Sequence, residues 1–307
     1  MNRFSFVVLH YKAKDVTLAC VRSILNLDSS SADISVVVVE NGSGDGIEAY
    51  LRAGLDDSDL SGLTVIVSDD NLGFAKGNNV GFAYARERLD PDFIVVANND
   101  VVFAQADICA RIVAVNESRP FDVLGPDIYN PVIGVHQSPG SAHMPVTAEY
   151  VENLKRGFQE RLNVSYSNER MLVLKYHLMA TAPGRIIRKA KLFSAANRNG
   201  WNRPQEGVEL QGSCVIFSKR YAQRFEWAFY PATFMYLEEL ISLFVSQVNG
   251  LTHIYDPSVK VCHMHGISTA LDYPNEIEKH RFFLKENLKS VEVLHGLVNK
   301  DTGECGE

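Results

Sequence analysis

FIVVANNDVVF, residues 93–103, is the stretch on which the reading of this chain turns. Its first half, 93–97, is the kind of apolar run found in strands covered on both faces of a sheet. Asn98, Asn99 and Asp100 follow, and the chain turns apolar again at Val101. A carboxylate at that depth is costly unless a partner offsets its desolvation. The stretch predicts a central strand that ends at Ala97 on a ligand-binding edge. Asp100 then either caps the next turn or holds a hard divalent cation, which can use one or two carboxylates plus substrate phosphates.

Working outward, FSFVVLHY (4–11), SVVVVENGSGDG (35–46) and LTVIVSDDNLG (63–73) read as three more strands. Helical spacing links them. One helix carries Val16, Cys20, Ile24 and Leu25, with Asp15 as its cap; others fall at 46–54 and 74–89. This βαβαβαβ order predicts an α/β fold with a Rossmann-like, mostly parallel central sheet flanked by helices. Such sheets bind ligands beyond the carboxyl ends of their strands. Glu40-Asn41, Asp69-Asp70-Asn71 and Asn98-Asn99-Asp100 all sit at those ends, so acidic and amide groups converge on one edge.

The second half gives coarser signals. Residues 126–145 are rich in Pro, Gly, Ser and His and read as a long loop. Residues 208–220 read as a strand or strand pair bending at Gly212, and 233–250 as a helix of about four turns stopped by Asn249-Gly250. Residues 251–266 read as two strands around a Pro turn. Leu284, Leu288, Val291 and Val298 mark a final amphipathic helix over 277–298. The expected organisation is a ligand-binding half (1–130), a second half (131–275) with a basic insertion at 151–203, and a C-terminal helix and tail (276–307).

Composition sets the broad class. With 307 residues, 46% apolar and 22% charged, the chain is an ordinary globular protein. Its net charge of −7 gives no reason to expect nucleic-acid binding. The charge is uneven, however: 151–203 carries 11 Lys/Arg against 3 Asp/Glu. That asymmetry fits either a solvated helical surface or a basic face for an anionic ligand or membrane. Five widely spaced cysteines without C-x-x-C argue for reduced thiols and against a zinc knuckle. No signal-peptide core and no 18-residue apolar run occur, so a cytoplasmic location is expected, with peripheral contact at the inner face of the cytoplasmic membrane.

Several constellations carry chemistry. Glu40-Asn41-Gly42-Ser43 suits either a base- or ribose-binding edge or plain turn chemistry. The run from Asn71 through Gly73, Phe74, Gly77, Asn78 and Gly81 matches neither the dinucleotide fingerprint nor a P-loop. Its glycines suit either a close backbone approach to a ligand or adjacent strand, or plain helix–sheet packing. Glu238-Glu239 opens a helix of otherwise apolar character; the pair either complements the helix dipole or supplies a base whose pKa burial raises. His263 and His265 share one face of an expected strand and suit metal or phosphate contact, or a core role.

Taken in order, VVLHYKAKDVTLACVRSIL, VVVVENGSGDG, NLGFAKGNNVGFAYA, FIVVANNDVVF, QGSCVIFSKR, FMYLEEL and VCHMHGIS resemble the successive blocks of the family 2 glycosyltransferases of the GT-A fold. The flavour is that of the rhamnosyltransferase-like branch of bacterial surface-polysaccharide synthesis. The blocks span the chain except roughly 130–205. The resemblance implies an inverting transferase that uses a nucleotide-diphosphate sugar, such as dTDP-rhamnose or a UDP-sugar, with Mg2+ or Mn2+. The acceptor would be a saccharide or a lipid-linked saccharide.

By position, Glu40 matches the acidic residue that contacts the base, where the family more often has Asp. Asn41, Asp70, Asn71 and Asn78 fall in donor-binding segments, and Asn78 stands where Arg is often found. Asp100 matches the last acid of the D-x-D-like metal motif, with Asn98 and Asn99 in place of its other carboxylates. His263 matches a histidine that approaches the metal or diphosphate. Glu239 matches the catalytic base, and Glu238, Gly212 and Ser213 fall on the acceptor side. The family's Asp and Arg after the base are here Ile241 and Val245; Lys219, Arg220 or the basic insertion would have to neutralise the diphosphate instead.

Two rival readings stay open. A sugar-nucleotide nucleotidyltransferase usually has a Gly-rich loop after its first strand, where this chain has HYKAKD. A catalytically degenerate sugar-nucleotide-binding protein would explain the amides at 98 and 99 and the changes at 241 and 245.

Overall fold

The computed structural model describes residues 1–140, 145–169, 199–264 and 276–301, with His143 and scattered positions between 171 and 190. The parallel strands are β1 (Asn2–His10), β2 (Ala32–Asn41), β3 (Leu63–Ser68) and β4 (Phe93–Asn98). Between them lie α1 (Lys14–Leu25), α2 (Ile47–Gly54), the single turn α3 (Asp57–Leu60) and α4 (Gly73–Tyr84). The later elements are β5 (Val101–Val102), α5 (Ile108–Ser118), β6 (Val123–Asn130), β7 (Val135–His136), α6 (Ala148–Ser167), β8 (Gln205–Glu206), β9 (Cys214–Ser218), α7 (Lys219–Arg224), α8 (Glu238–Asn249), β10 (His253–His263) and α9 (Glu276–Asp301).

They build one sheet in the order β3-β2-β1-β4-β9-β6-β10-β5, with β7 on β6 and β8 on β10. β9 runs antiparallel between β4 and β6; β6 and β10 are parallel to each other. The α/β class and the mostly parallel sheet are as the sequence predicts. Phe6, Val7, Val8 and Val36 to Val39 are fully buried, which is why these strands read as continuous apolar runs: helices cover both faces. Gly81 lets α4 lie directly on β1, since a Cβ there would stand 2.3 Å from Val7 Cγ1. A separate apolar core joins α6, α8 and α9 through Val151, Leu240, Phe244, Leu284 and Leu294.

The structure corrects several local expectations. Asp15 does not cap α1: the N-cap is Ala13, in left-handed backbone, and the Asp15 carboxylate accepts a hydrogen bond from the Tyr50 hydroxyl. The 74–89 helix changes to a π-helical turn at Ala85–Leu89. The central strand runs to Asn98 rather than Ala97, because the Asn98 N–H still donates to the Ser213 carbonyl at 2.9 Å. The loop expected at 126–145 instead continues β6 and turns back into β7, its turn held by Asn130 Oδ1 accepting the Val132 and Ile133 N–H groups. The two strands expected at 251–266 are one, β10, with Pro257 inside a register shift between Asp256 and Lys260. Only Cys214–Ser218 of 208–220 is strand, and α8 starts five residues later than its apolar pattern suggests.

Candidate functional site

A cleft of about 760 Å³ opens at the carboxyl ends of β1, β2 and β4. Asn41, Asn71, Asn98, Asn99, Asp100, Gly212, Ser213, Glu238, Glu239 and His263 line it. Glu40, Asp70 and Asn78 are not among the lining residues, and each is placed by a local cause.

Asn41 and Asn71 shape one wall. Asn41 Oδ1 accepts the Leu72 N–H at 2.9 Å, and its Nδ2 donates to Asn71 Oδ1 at 3.1 Å and to the Gly73 carbonyl at 3.2 Å. Asn71 Oδ1 also accepts the Gly73 N–H at 2.9 Å. These bonds fix the turn between β3 and α4, and they leave its Gly73 at φ +80°, a conformation open to glycine. Glu40 lies beneath: it is buried, and its carboxylate caps the next turn by accepting the Ser43 and Gly44 N–H groups. Asp70 is exposed at the turn's outer side. Asn78 is buried inside α4, where its Nδ2 donates to the Phe74 carbonyl at 2.9 Å and its Oδ1 has no hydrogen-bond partner.

Asp100 and His263 form the floor. After β4 the chain turns through Asn99 and Asp100 and pairs β5 with the end of β10, which sets Val101 against His263. The Asp100 carbonyl accepts the Met264 N–H at 3.0 Å. Asp100 Oδ1 then stands 3.2 Å from His263 Nε2, with both side chains buried. The other ring nitrogen, Nδ1, lies 2.9 Å from Gln137 Oε1, which fixes the orientation of the ring. Asn99 lines the cleft while its Nδ2 donates to Thr17 Oγ1 at 3.0 Å and to the Lys12 carbonyl at 3.4 Å.

Among the described residues no cluster of three or more His, Cys, Asp or Glu side chains is arranged around one point. The cleft therefore offers a cation only a partial protein shell. One buried carboxylate and one imidazole with its second nitrogen held fit a divalent ion whose remaining ligands are phosphate oxygens and water.

The base candidates form the opposite wall. Tyr236 and Leu237 take left-handed φ of 74° and 64° just before α8, which costs about 1–2 kcal/mol for each non-glycine residue. The reversal turns Glu238 and Glu239 into the cleft. Glu239 Oε1 accepts the Gly212 N–H at 3.1 Å, and burial raises its pKa. A Cβ at Gly212 would stand 2.8 Å from that same oxygen, so the glycine leaves room for the carboxylate in this position. Glu238 is buried deeper and accepts the Thr233 hydroxyl at 2.9 Å. Burial, and then the neighbouring Glu239 charge, push it up to about 8. Beside Gly212, Ser213 Oγ is buried with no hydrogen-bond partner.

Lys219 and Arg220 do not serve the cleft. Lys219 Nζ pairs with Asp90 at 2.9 Å, and Arg220 grips Asp122 with two bonds of 2.6 and 2.8 Å. Among the described residues no Lys or Arg lines the cleft. His265 and much of the basic insertion lie outside the described residues.

Gln137, Gln211, Phe234, Tyr236, Phe282 and Asn287 belong to the site or its support without having been read from the sequence. Asn287 did leave a signal: it is an amide on the apolar stripe of the last helix, three residues after Leu284.

The glycosyl transferase family 2 model matches residues 5–191, more than half of the chain, and the chain belongs to that family. Among particular relatives, the low-salt glycan biosynthesis hexosyltransferase Agl10 of Haloferax volcanii is 27% identical over 141 residues, covering 45% of this chain and 41% of the relative. The match thus spans less than half of that protein's length. The mannosyltransferase PcManGT from Pyrobaculum calidifontis, solved with GDP-Man and Mn2+, aligns over 100% of this chain and 76% of its own, at 13% identity and a TM-score of 0.51. Its fold is shared. The S. aureus protein TarS (residues 1–349, with UDP) is 21% identical over 46% of this chain and 38% of its own, with a TM-score of 0.35.

Proposed function

We propose that the chain transfers a sugar, with inversion, from a nucleotide-diphosphate donor to a hydroxyl of a saccharide or lipid-linked acceptor during glycan synthesis. The observation that carries this is the convergence of Asn41–Asn71, Asp100–His263 and Glu239 on one cleft. In this reading residues 1–130 hold the donor and 131–275 supply the base and acceptor side. Donors compatible with the reading include dTDP-rhamnose, UDP-sugars and GDP-mannose, the last being held by the mannosyltransferase of similar fold.

The Asn41–Asn71 turn would orient the nucleotide at the strand ends, where backbone and amide groups face the cleft. Asp100 and His263 would hold Mg2+ or Mn2+ against the donor diphosphate, with Gln137 fixing the orientation of the imidazole. When bound, such an ion polarises the phosphoryl oxygens and offsets the charge of the leaving diphosphate. Glu239 takes the proton of the attacking hydroxyl. The Gly212 N–H holds the carboxylate in place, and the raised pKa makes it a stronger base than an exposed glutamate. The phenyl walls at Phe74, Phe234 and Phe282 would limit water around the sugar as it is transferred and the diphosphate leaves.

No helix among the described residues is long and apolar enough to cross a membrane. A lipid-linked acceptor would therefore be met at the surface, with the basic 151–203 segment as the peripheral contact to anionic lipid, about 1 kcal/mol per basic residue.

The test is a panel of UDP-, GDP- and dTDP-sugars with Mg2+ or Mn2+, read by thermal shift and by nucleotide release. One donor should stabilise the chain in a metal-dependent way and be slowly hydrolysed without acceptor. A panel without any stabilising member would overturn the reading.

A further inference from the structure

Glu238 and Glu239 are neighbours in sequence but not in task. Successive helical residues project about 100° apart, and here the two carboxyls meet different parts of the protein. Glu239 reaches Gly212 on the strand side. Glu238 turns back on the loop that precedes it. Its carboxyl accepts the Thr233 hydroxyl at 2.9 Å, and only 3% of the residue is exposed.

The loop closed by this bond is strained and touches the donor wall. Tyr236 and Leu237 both stand in left-handed backbone without being glycine. The reversal carries the Phe234 carbonyl to the Phe74 N–H at 2.6 Å. Contact is so close at Gly73 that a Cβ would stand 2.3 Å from the Phe234 oxygen. A third anchor comes from α9, where the Ser290 hydroxyl donates to the Met235 carbonyl at 3.0 Å. The 233–237 loop is thus pinned to the Asn71–Phe74 turn at one end and to the start of α8 at the other.

Resting on the transferase reading above, we propose that Glu238 is a positioning residue. Its carboxyl fastens the 233–237 loop between the donor turn and α8, and so sets where Glu239 stands. Nothing in this role requires a negative charge, because the Thr233 hydroxyl donates to a carboxyl oxygen. An amide oxygen can accept the same bond. A methyl group cannot, and it leaves the Thr233 hydroxyl buried without that acceptor.

Amide exchange and turnover test this together, on the full chain. Glu238→Ala should speed exchange of the Tyr236 and Phe74 amides at least tenfold. It should also lower metal-dependent hydrolysis across the UDP-, GDP- and dTDP-sugar panel at least tenfold. Glu238→Gln should recover most of both. Thr233→Val, which removes the bond but keeps the packed carboxyl, should move both in the same direction by less, and serves if the alanine variant does not fold. Unchanged Phe74 and Tyr236 exchange in Glu238→Ala and Thr233→Val would overturn the proposal. So would a Glu238→Gln variant as impaired as Glu238→Ala. Exchange is read without turnover, so a failed loop is distinguishable from a failed transferase assignment.

Discussion

Asp100 Oδ1 stands 3.2 Å from His263 Nε2 although one follows β4 and the other ends β10. The contact exists because β5 pairs with β10 and carries Asp100 to it. In the proposed mechanism, a buried carboxylate facing an imidazole whose far nitrogen is held by Gln137 would give a cation two protein ligands. Asp100→Ala should abolish metal-dependent nucleotide binding, measured by calorimetry with and without chelator. Gln137→Leu should leave the ligands present but the ring unheld, and weaken metal affinity by about 10- to 100-fold. Nucleotide affinity that ignores chelator in the wild-type protein would remove the metal from the mechanism.

Glu239 is the group for which proton transfer can be tested most directly. Glu239→Gln keeps the shape and can still accept the Gly212 N–H, but cannot take a proton. Turnover should fall by about 10²–10⁴-fold, equivalent to roughly 3–5 kcal/mol of barrier. Nucleotide binding should be retained. A variant that transfers sugar at the wild-type rate would move the base elsewhere.

Two glycines separate the site from the scaffold. A Cβ at Gly212 meets the far end of the Glu239 side chain at 2.8 Å, so the carboxylate can swing aside at little cost to the fold. Gly212→Ala should therefore lower turnover about tenfold or more, with a melting temperature close to wild type. A Cβ at Gly81 meets Val7 Cγ1 at 2.3 Å and Val39 Cγ2 at 2.9 Å, both on stiff β-branched side chains in the core. Gly81→Ala should lift α4 off the sheet and cost about 1–3 kcal/mol of stability, read by denaturant unfolding. The reverse pattern would mean that the glycines had been assigned to the wrong roles.

What the sequence disclosed follows from the range of the interactions involved. Phe93 to Ala97 and Val36 to Val39 are buried on both faces, so burial is written directly into consecutive residues. The parallel half of the sheet and its ligand edge were therefore legible. That Asp100, Glu239 and His263 share one cleft agrees with the order of the blocks in which they stand. Where contacts are long-range, the pattern gave no warning. The apolar spacing of 233–250 extends through residues that the Thr233–Glu238 and Phe234–Phe74 bonds hold outside the helix. Glu40 shows a second, local use of an acid at a strand end: one of its carboxylate oxygens accepts the Ser43 and Gly44 amides. Gln137 went unread because β7 depends on pairing with β6, and two residues of strand leave no periodicity.

Glu238 also gives the chain a pH signature. Burial, with the Glu239 charge beside it, lifts its pKa from the ordinary 4.5 to about 8 in the folded protein. The fold therefore favours the neutral form. That contribution is fully present below about pH 4.5 and is lost as pH rises through about 8. A tenfold change in proton affinity corresponds to about 1.4 kcal/mol, so the loss across the window is on the order of a few kcal/mol. Gln cannot ionise, so Glu238→Gln should lose less stability than wild type between about pH 5 and about pH 9. Melting temperatures of the two proteins, taken at about pH 5, 7 and 9, read this as diverging curves. Parallel curves would mean that Glu238 already ionises freely in the folded state, which its 3% exposure and its place behind the Thr233 hydroxyl argue against.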